Sequence, residues 1–296
     1  MADYNYILSC ESTADLSAEK LAQIDVEHIC FHFMLDGVDY RDDLGKSIPF
    51  DDFYHAMETG SDTKTAAVGT GDYIEYFRGF LRAGKDVLHC CLSSGISSSY
   101  NAAMEAAVIL ASEFPERKLY VVDSLAASSG FGLLMQALSD KRAQGMGIDE
   151  LRAWTEANKS RLRHWFFSTD LTFYIKGGRV KPMVGHVANL LNMCPLLDVN
   201  SEGKLIQRET QRGKKKVVRR IVECMEQTAE GGTDYDGKVF ISHSRCIDDA
   251  NAVADLVRQK FPNVKDVETF YIGTTIGSHT GPGTVALFFW GTERTI

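Results

Sequence analysis

Four short segments of this 296-residue sequence bring hydroxyl, imidazole and cationic groups together where the chain turns. The first is Leu92-Ser93-Ser94-Gly95-Ile96-Ser97-Ser98-Ser99-Tyr100, which follows a strand-like run and opens a helical one. A helix N-terminus exposes unpaired N–H groups and carries partial positive charge, so this segment suits a carboxylate or phosphate. The same serines also serve as helix caps and turn formers. The second, Ser278-His279-Thr280-Gly281-Pro282-Gly283-Thr284, lies between two apolar runs and reads as a glycine-rich loop. Its imidazole and hydroxyls can reach a ligand that the glycines let approach closely, and the same pattern also makes a tight turn. In the third, Thr63-Lys64-Thr65-Ala66-Ala67, a threonine is a cap, a turn residue or a ligand contact. The fourth, Phe173-Tyr174-Ile175-Lys176-Gly177-Gly178-Arg179, has the glycine pair of a helix C-cap and cations that suit a helix end.

These segments need elements to hold them. Strand-like runs at 6–10, 28–35, 86–91 and 119–123 alternate with helical patterns, which is α/β organisation. At 98–114, Tyr100, Ala103, Met104, Ala107, Leu110, Ala111 and Phe114 recur at helical spacing. A helical pattern over 148–163 separates the halves, and the expected division is residues 1–157 and residues 158–296. Beyond it, 165–169 and 239–243 read as strands, and 196–199 pairs with 204–207 as a hairpin. Val217, Val218, Ile221, Val222, Met225 and Ala229 form a helical stripe. Runs at 267–272 and 285–290 close a second sheet around the glycine-rich loop.

Composition removes several function classes. With 44% hydrophobic and 24% charged residues and six prolines, the chain reads as folded throughout, and its length suits two domains. A net charge of −8 opposes nucleic-acid binding, which needs clustered cations. One stretch runs the other way: Lys204, Arg208, Arg212, Lys214, Lys215, Lys216, Arg219 and Arg220 stand against the lone acid Glu209. The N-terminus has no basic leader pattern, and no apolar run approaches the ~20 residues that span a bilayer. Seven scattered cysteines without a C-x-x-C pair argue against a disulfide framework or a zinc site, so the expected location is the cytoplasm. His28 and His32 would share a strand face with Cys30 between them, a commonplace strand pattern, and no H-E-x-x-H occurs, so no metal is expected.

Five ordered motifs resemble the DegV family, which includes fatty-acid-binding proteins of the FakB type. Ser12-Thr13-Ala14-Asp15-Leu16 is similar to the family's D-S-T-A-D-L, with Glu11 in place of its first Asp. Leu92-Ser93-Ser94-Gly95-Ile96-Ser97 resembles L-S-S-x-L-S, and Asp123-Ser124 with Ala127-Ser128-Ser129-Gly130 resembles D-S-x-x-A-S-x-G. Tyr174 to Arg179 resembles L-x-K-G-G-R, and His279-Thr280-Gly281-Pro282-Gly283 matches H-T-G-P-G. The family's T-S-Q-P-S is here Thr65-Ala66-Ala67-Val68-Gly69, and its S-G-T-Y is Ser97-Ser98-Ser99-Tyr100.

The resemblance implies two α/β domains with a ligand tunnel between them, the DegV or EDD-like fold. It implies a long-chain fatty acid as ligand, no cofactor, and a head-group site of Thr65, Ser93 or Ser94, His279 and Thr280. A carboxylate accepts about four hydrogen bonds, and hydroxyls with an imidazole can supply them. It also implies a separate fatty-acid kinase partner, a dihydroxyacetone-kinase-like subunit, met by a surface that includes Arg179 and Arg212. No Walker-type phosphate loop or kinase signature occurs, in keeping with a binding subunit that leaves ATP to its partner. Two rivals remain: an acyl hydrolase or transferase on the same residues, with a Ser93 or Ser94 nucleophile and His279 as base, and a carrier of another lipid in the same tunnel. The first lacks an evident orienting carboxylate and a G-x-S-x-G elbow.

Overall fold

The structure, a computed structural model, describes residues 4–180 and 192–296. The first part runs β1 (Tyr6–Glu11), α1 (Ala18–Gln23), β2 (Glu27–Ile29), β3 (His32–Leu35), β4 (Val38–Arg41), α2 (Phe50–Glu58) and β5 (Thr63–Ala66). It continues through α3 (Thr70–Arg82), β6 (Asp86–Cys91), α4 (Ser99–Glu113), β7 (Leu119–Asp123), α5 (Ser128–Ala143) and α6 (Ile148–Asn158). The second part runs β8 (Leu162–Ser168), α7 (Thr172–Lys176), β9 (Met193–Val199), β10 (Leu205–Arg212) and α8 (Lys214–Thr228). It ends with β11 (Lys238–His243), α9 (Ile247–Lys260), β12 (Asp266–Tyr271), α10 (Thr274–Thr280) and β13 (Thr284–Trp290).

Strands β2-β1-β6-β7 form a parallel sheet, and β4-β3-β5 form a small antiparallel one. The third sheet, β10-β9-β8-β13-β11-β12, is antiparallel except for the β11–β12 pair. Its inner strand β8 is buried at every position, as expected where both faces are covered. Helix α5 lies between the two large sheets, in contact with β1, β8, β11 and β13. It therefore buries eleven of its 16 residues, on more than one face. Leu8, Phe131, Leu134, Leu138, Phe166, Phe240 and Phe288 join both sheets and α5 into one apolar core. Close contact depends on Gly130, where a Cβ would stand 2.4 Å from His164 Nε2.

Three expectations give way to long-range contacts. The run 28–35 is two strands in different sheets. Between them the Phe31 N–H donates to Ser12 Oγ and the Phe31 carbonyl accepts from the Asp42 N–H, so both backbone groups of Phe31 stay paired across the break. His28 and His32 consequently share no strand face. The helix expected over 148–163 stops at Asn158, because Leu162 and Arg163 pair with Trp290 and Phe289 on β13. Finally, Ser278, His279 and Thr280 form the last turn of α10, which Gly281 ends at a φ of 68°. The expected division at 157/158 falls in the last turn of α6, just ahead of β8. Helix α10, late in the chain, packs on β3, β5 and α2 from its start.

Candidate functional site

A cavity of about 270 Å³ opens where α10, β5, the loop after β6, the N-terminus of α5 and the start of β10 converge. Its apolar walls come from Phe31, Leu92 and Ile96 on one side and Phe166, Leu205 and Phe288 on the other. Apolar lining of this kind takes an apolar body, while a few placed polar groups fix its orientation.

Four polar residues of the lining stand on β5 and α10: Thr65, Thr275, His279 and Thr280. Thr65 is a strand residue, paired with Phe33 across β3, and its Oγ1 lies 2.8 Å from His279 Nε2. Next to it the Thr63 hydroxyl donates to the Ser278 carbonyl at 3.4 Å, which ties the strand to the helix end. The glycine pair does more than cap α7: a Cβ on Gly177 would stand 2.4 Å from His279 Nδ1. Burial, with the charge of Arg179 added, pulls the His279 pKa down to about 4, so the ring is neutral at physiological pH. Two more hydroxyls on this helix line the cavity, Thr275 and Thr280; both are buried, and neither has a hydrogen-bond partner among the described residues. Arg179 lines it too, half-buried, with its guanidinium donating to the carbonyls of Ile96 and Gly177.

The deeper polar residues are already paired. Ala127 N–H donates to His164 Nε2 at 3.3 Å, so Nδ1 carries the proton toward the Leu162 carbonyl. Burial holds this imidazole well below its ordinary pKa. Ser128 Oγ donates to Asp15 at 2.5 Å, and Tyr174 and Thr284 share a hydrogen bond of 3.1 Å.

Of the residues expected at a head group, Thr65, His279 and Thr280 meet in this cavity, whereas Ser93 and Ser94 do not line it. Ser93 is fully buried; its hydroxyl donates to the Gly203 carbonyl at 2.8 Å and accepts the Gly95 N–H at 3.1 Å. It thereby fastens the loop to the turn between β9 and β10. Ser94 is exposed, and its N–H donates to Asp123 Oδ1. The loop turns Ser97 and Ser98 toward the cavity instead. Thr275 was missed because no helix was expected there; on α10 it stands one turn before His279.

Arg179 and Arg212, expected on one partner surface, have different settings. Arg212 ends β10, exposed, and is not among the cavity residues. In the basic stretch around it, Lys204, Arg208, Lys214 and Arg220 each pair with a carboxylate. Arg212, Lys215, Lys216 and Arg219 are exposed and make no ion pair among the described residues. No described helix is long and apolar enough to cross a membrane.

The comparisons with known proteins name the family to which this α/β architecture belongs. The model of the DegV family, described as uncharacterised, matches residues 8–292, and the chain belongs to that family. A DegV domain-containing protein of Clostridium perfringens is 31% identical over 289 residues, covering 98% of each chain. Among solved structures, a DegV lipid-binding protein of Thermotoga maritima superposes with a TM-score of 0.85 at 25% identity, over 99% of this chain and 100% of its own. The fatty acid kinase (Fak) B3 protein of Streptococcus pneumoniae, solved loaded with linoleic acid, shares the fold at TM-score 0.84 and 20% identity, over 98% of this chain and 100% of its own.

Proposed function

We propose that this protein binds one long-chain fatty acid with its tail along the apolar walls and its carboxylate at Thr65, His279 and Thr280. The observation that carries this reading is the pair of buried, unpartnered hydroxyls on Thr275 and Thr280 beside the Thr65–His279 pair, in a cavity otherwise lined largely by carbon. A buried hydroxyl without a partner is costly, and a carboxylate oxygen would satisfy it. The tail supplies most of the affinity, at about 0.8 kcal/mol for each buried methylene. Ser93 takes a positioning part, by holding the loop that carries Ile96, Ser97 and Ser98.

The reading extends to the partner. A carrier that needs no cofactor and does no chemistry itself, working in the cytoplasm, would present the carboxylate to a dihydroxyacetone-kinase-like fatty-acid kinase for acyl-phosphate formation. The unpaired cations Arg212, Lys215, Lys216 and Arg219 would meet an acidic patch on it, and Arg179 would lie between that surface and the head group. Residues 1–157 and 158–296 would act as its two domains. Against an acyl hydrolase stand the partners of its would-be catalytic groups: His279 bonds Thr65, and Ser93 bonds Gly203.

Denaturing extraction of the purified protein, followed by mass spectrometry of the extract, tests the binding. About one long-chain fatty acid per chain is expected. A protein that comes out empty and takes up no added oleate overturns the reading. For the partner, Arg212→Glu should slow association with the kinase and weaken its salt dependence while leaving fatty-acid binding unchanged, because an exposed interface charge acts mainly on encounter. Unaltered kinase coupling in that variant would remove Arg212 from the surface.

A further inference from the structure

The parallel sheet carries a second group of polar side chains that the cavity does not use. Ser9 and Glu11 on β1 and His89 and Cys91 on β6 lie two apart on neighbouring strands, and Ser9 pairs with His89 in register. Alternation along a strand puts each pair on one face, so the four form a square beneath α3. All four are fully buried. One ligand atom from each of Glu11, His89 and Cys91 lies within 4.8 Å of the other two. Tyr73 of α3 closes the group from above, its hydroxyl donating to Glu11 Oε1.

The histidine is set as a metal ligand is set. Its Nδ1 meets Ser9 Oγ at 2.9 Å, and Ser9 Oγ is held in turn by Tyr76 at 2.7 Å. Its Nε2 is buried without a partner among the described residues. Fixing one ring nitrogen by an outer hydrogen bond and leaving the other free is the usual arrangement around a metal-bound imidazole. We infer that Glu11, His89 and Cys91 form a structural site for a divalent transition metal of the zinc class, with the Tyr73 hydroxyl beside the fourth position. Thiolate and imidazole select zinc over magnesium or calcium. Charge agrees with this choice: one thiolate and one carboxylate neutralise a divalent ion, so the loaded site is neutral inside an apolar core. On binding, the Cys91 thiol gives its proton to solvent as the sulfur–metal bond forms.

The consequence reaches the cavity, because Glu11 Oε2 also accepts the Leu92 N–H at 2.8 Å, at the start of the loop that Ser93 fastens. Loading would stiffen that wall. The sequence hid the site because its signals, S-x-E and H-x-C, are ordinary strand patterns until the sheet puts them side by side.

The test uses tag-free full-length protein, unfolded and refolded with Zn2+ or Co2+, then freed of excess metal and analysed by elemental mass spectrometry. About one equivalent per chain is expected, with a raised melting temperature and, for Co2+, a near-ultraviolet thiolate charge-transfer band. His89→Gln and Cys91→Ser should lose the metal, and Cys91→Ser the band, while Cys224→Ser, on α8, keeps both. A wild-type protein that takes up no metal on refolding overturns the inference, and so do site variants that hold as much metal as the wild type. Since the wild-type measurement is decisive alone, a variant that fails to fold does not shelter the claim. Oleate uptake, measured alongside, keeps the outcome separate from that of the cavity.

Discussion

Helix α10 and the loop after β6 are both rich in hydroxyls, yet the structure uses Thr275 and Thr280 of the first and Ser93 of the second in opposite ways. On α10, Thr275 and Thr280 are buried at the cavity with no partner. In the loop, Ser93 is equally buried and has two partners, one of them the Gly203 carbonyl 110 residues along the chain. Both segments look like ligand-binding motifs in sequence. What separates them is whether the hydroxyl's hydrogen-bonding capacity is already filled: an unfilled one is available to a ligand, and a filled one holds the wall in place.

Substitutions can break that contrast. The largest effect is expected at His279. Replacing it by Ala removes a hydrogen bond to a charged group, worth about 1.5 to 3 kcal/mol, so oleate should bind roughly 10- to 150-fold more weakly by calorimetry. Ser93→Ala should do the reverse, lowering stability to urea by about 1 to 3 kcal/mol because the Gly203 carbonyl and Gly95 N–H lose their partner, with a much smaller change in affinity. If Ser93→Ala binds oleate as poorly as His279→Ala while remaining as stable as the wild type, the contrast fails. Thr275→Val sharpens it: affinity should fall by about 0.5 to 1.5 kcal/mol, and stability should hold or rise, since the lost hydroxyl had no partner.

The smallest effect is in the pH dependence. Burial puts the folded His279 pKa at about 4, below its ordinary value of 6.5. Between these values the unfolded chain binds the extra proton, so this group's stabilisation is complete above about pH 6.5 and is lost progressively as pH falls to about 4. His279→Asn should flatten that part of the stability profile between pH 4 and 6.5. An unchanged slope would place the titration elsewhere, His89 and His164 also being buried with lowered pKa values.

Much of this was legible in the sequence, and what was hidden follows a pattern. Strands β1, β6, β7 and β11 and helices α4 and α8 announce themselves by period, because one face or both are buried by their own neighbours. The break at Phe31 does not, since it is stabilised by Ser12 and Asp42 from elsewhere in the chain. Helix α10 was hidden by its composition: Thr-Thr-Ile-Gly-Ser-His-Thr is poor in helix formers, and packing against β3, β5 and α2 overrides propensity. Thr65, His279 and Thr280 were found through the family resemblance, and the structure brings them into one cavity. The bond from Ser93 to Gly203 left no trace in the local motif, because a serine reads the same whether its hydroxyl faces a ligand or a distant carbonyl.

The most direct test of the head-group assignment is carbon NMR of oleate labelled at the carboxyl carbon and bound to the protein. The account predicts one bound carboxyl signal that moves in Thr280→Val and in His279→Ala and stays in place in Ser93→Ala. A signal that ignores the two α10 substitutions and follows Ser93 would place the carboxylate at the loop after β6 and contradict the account.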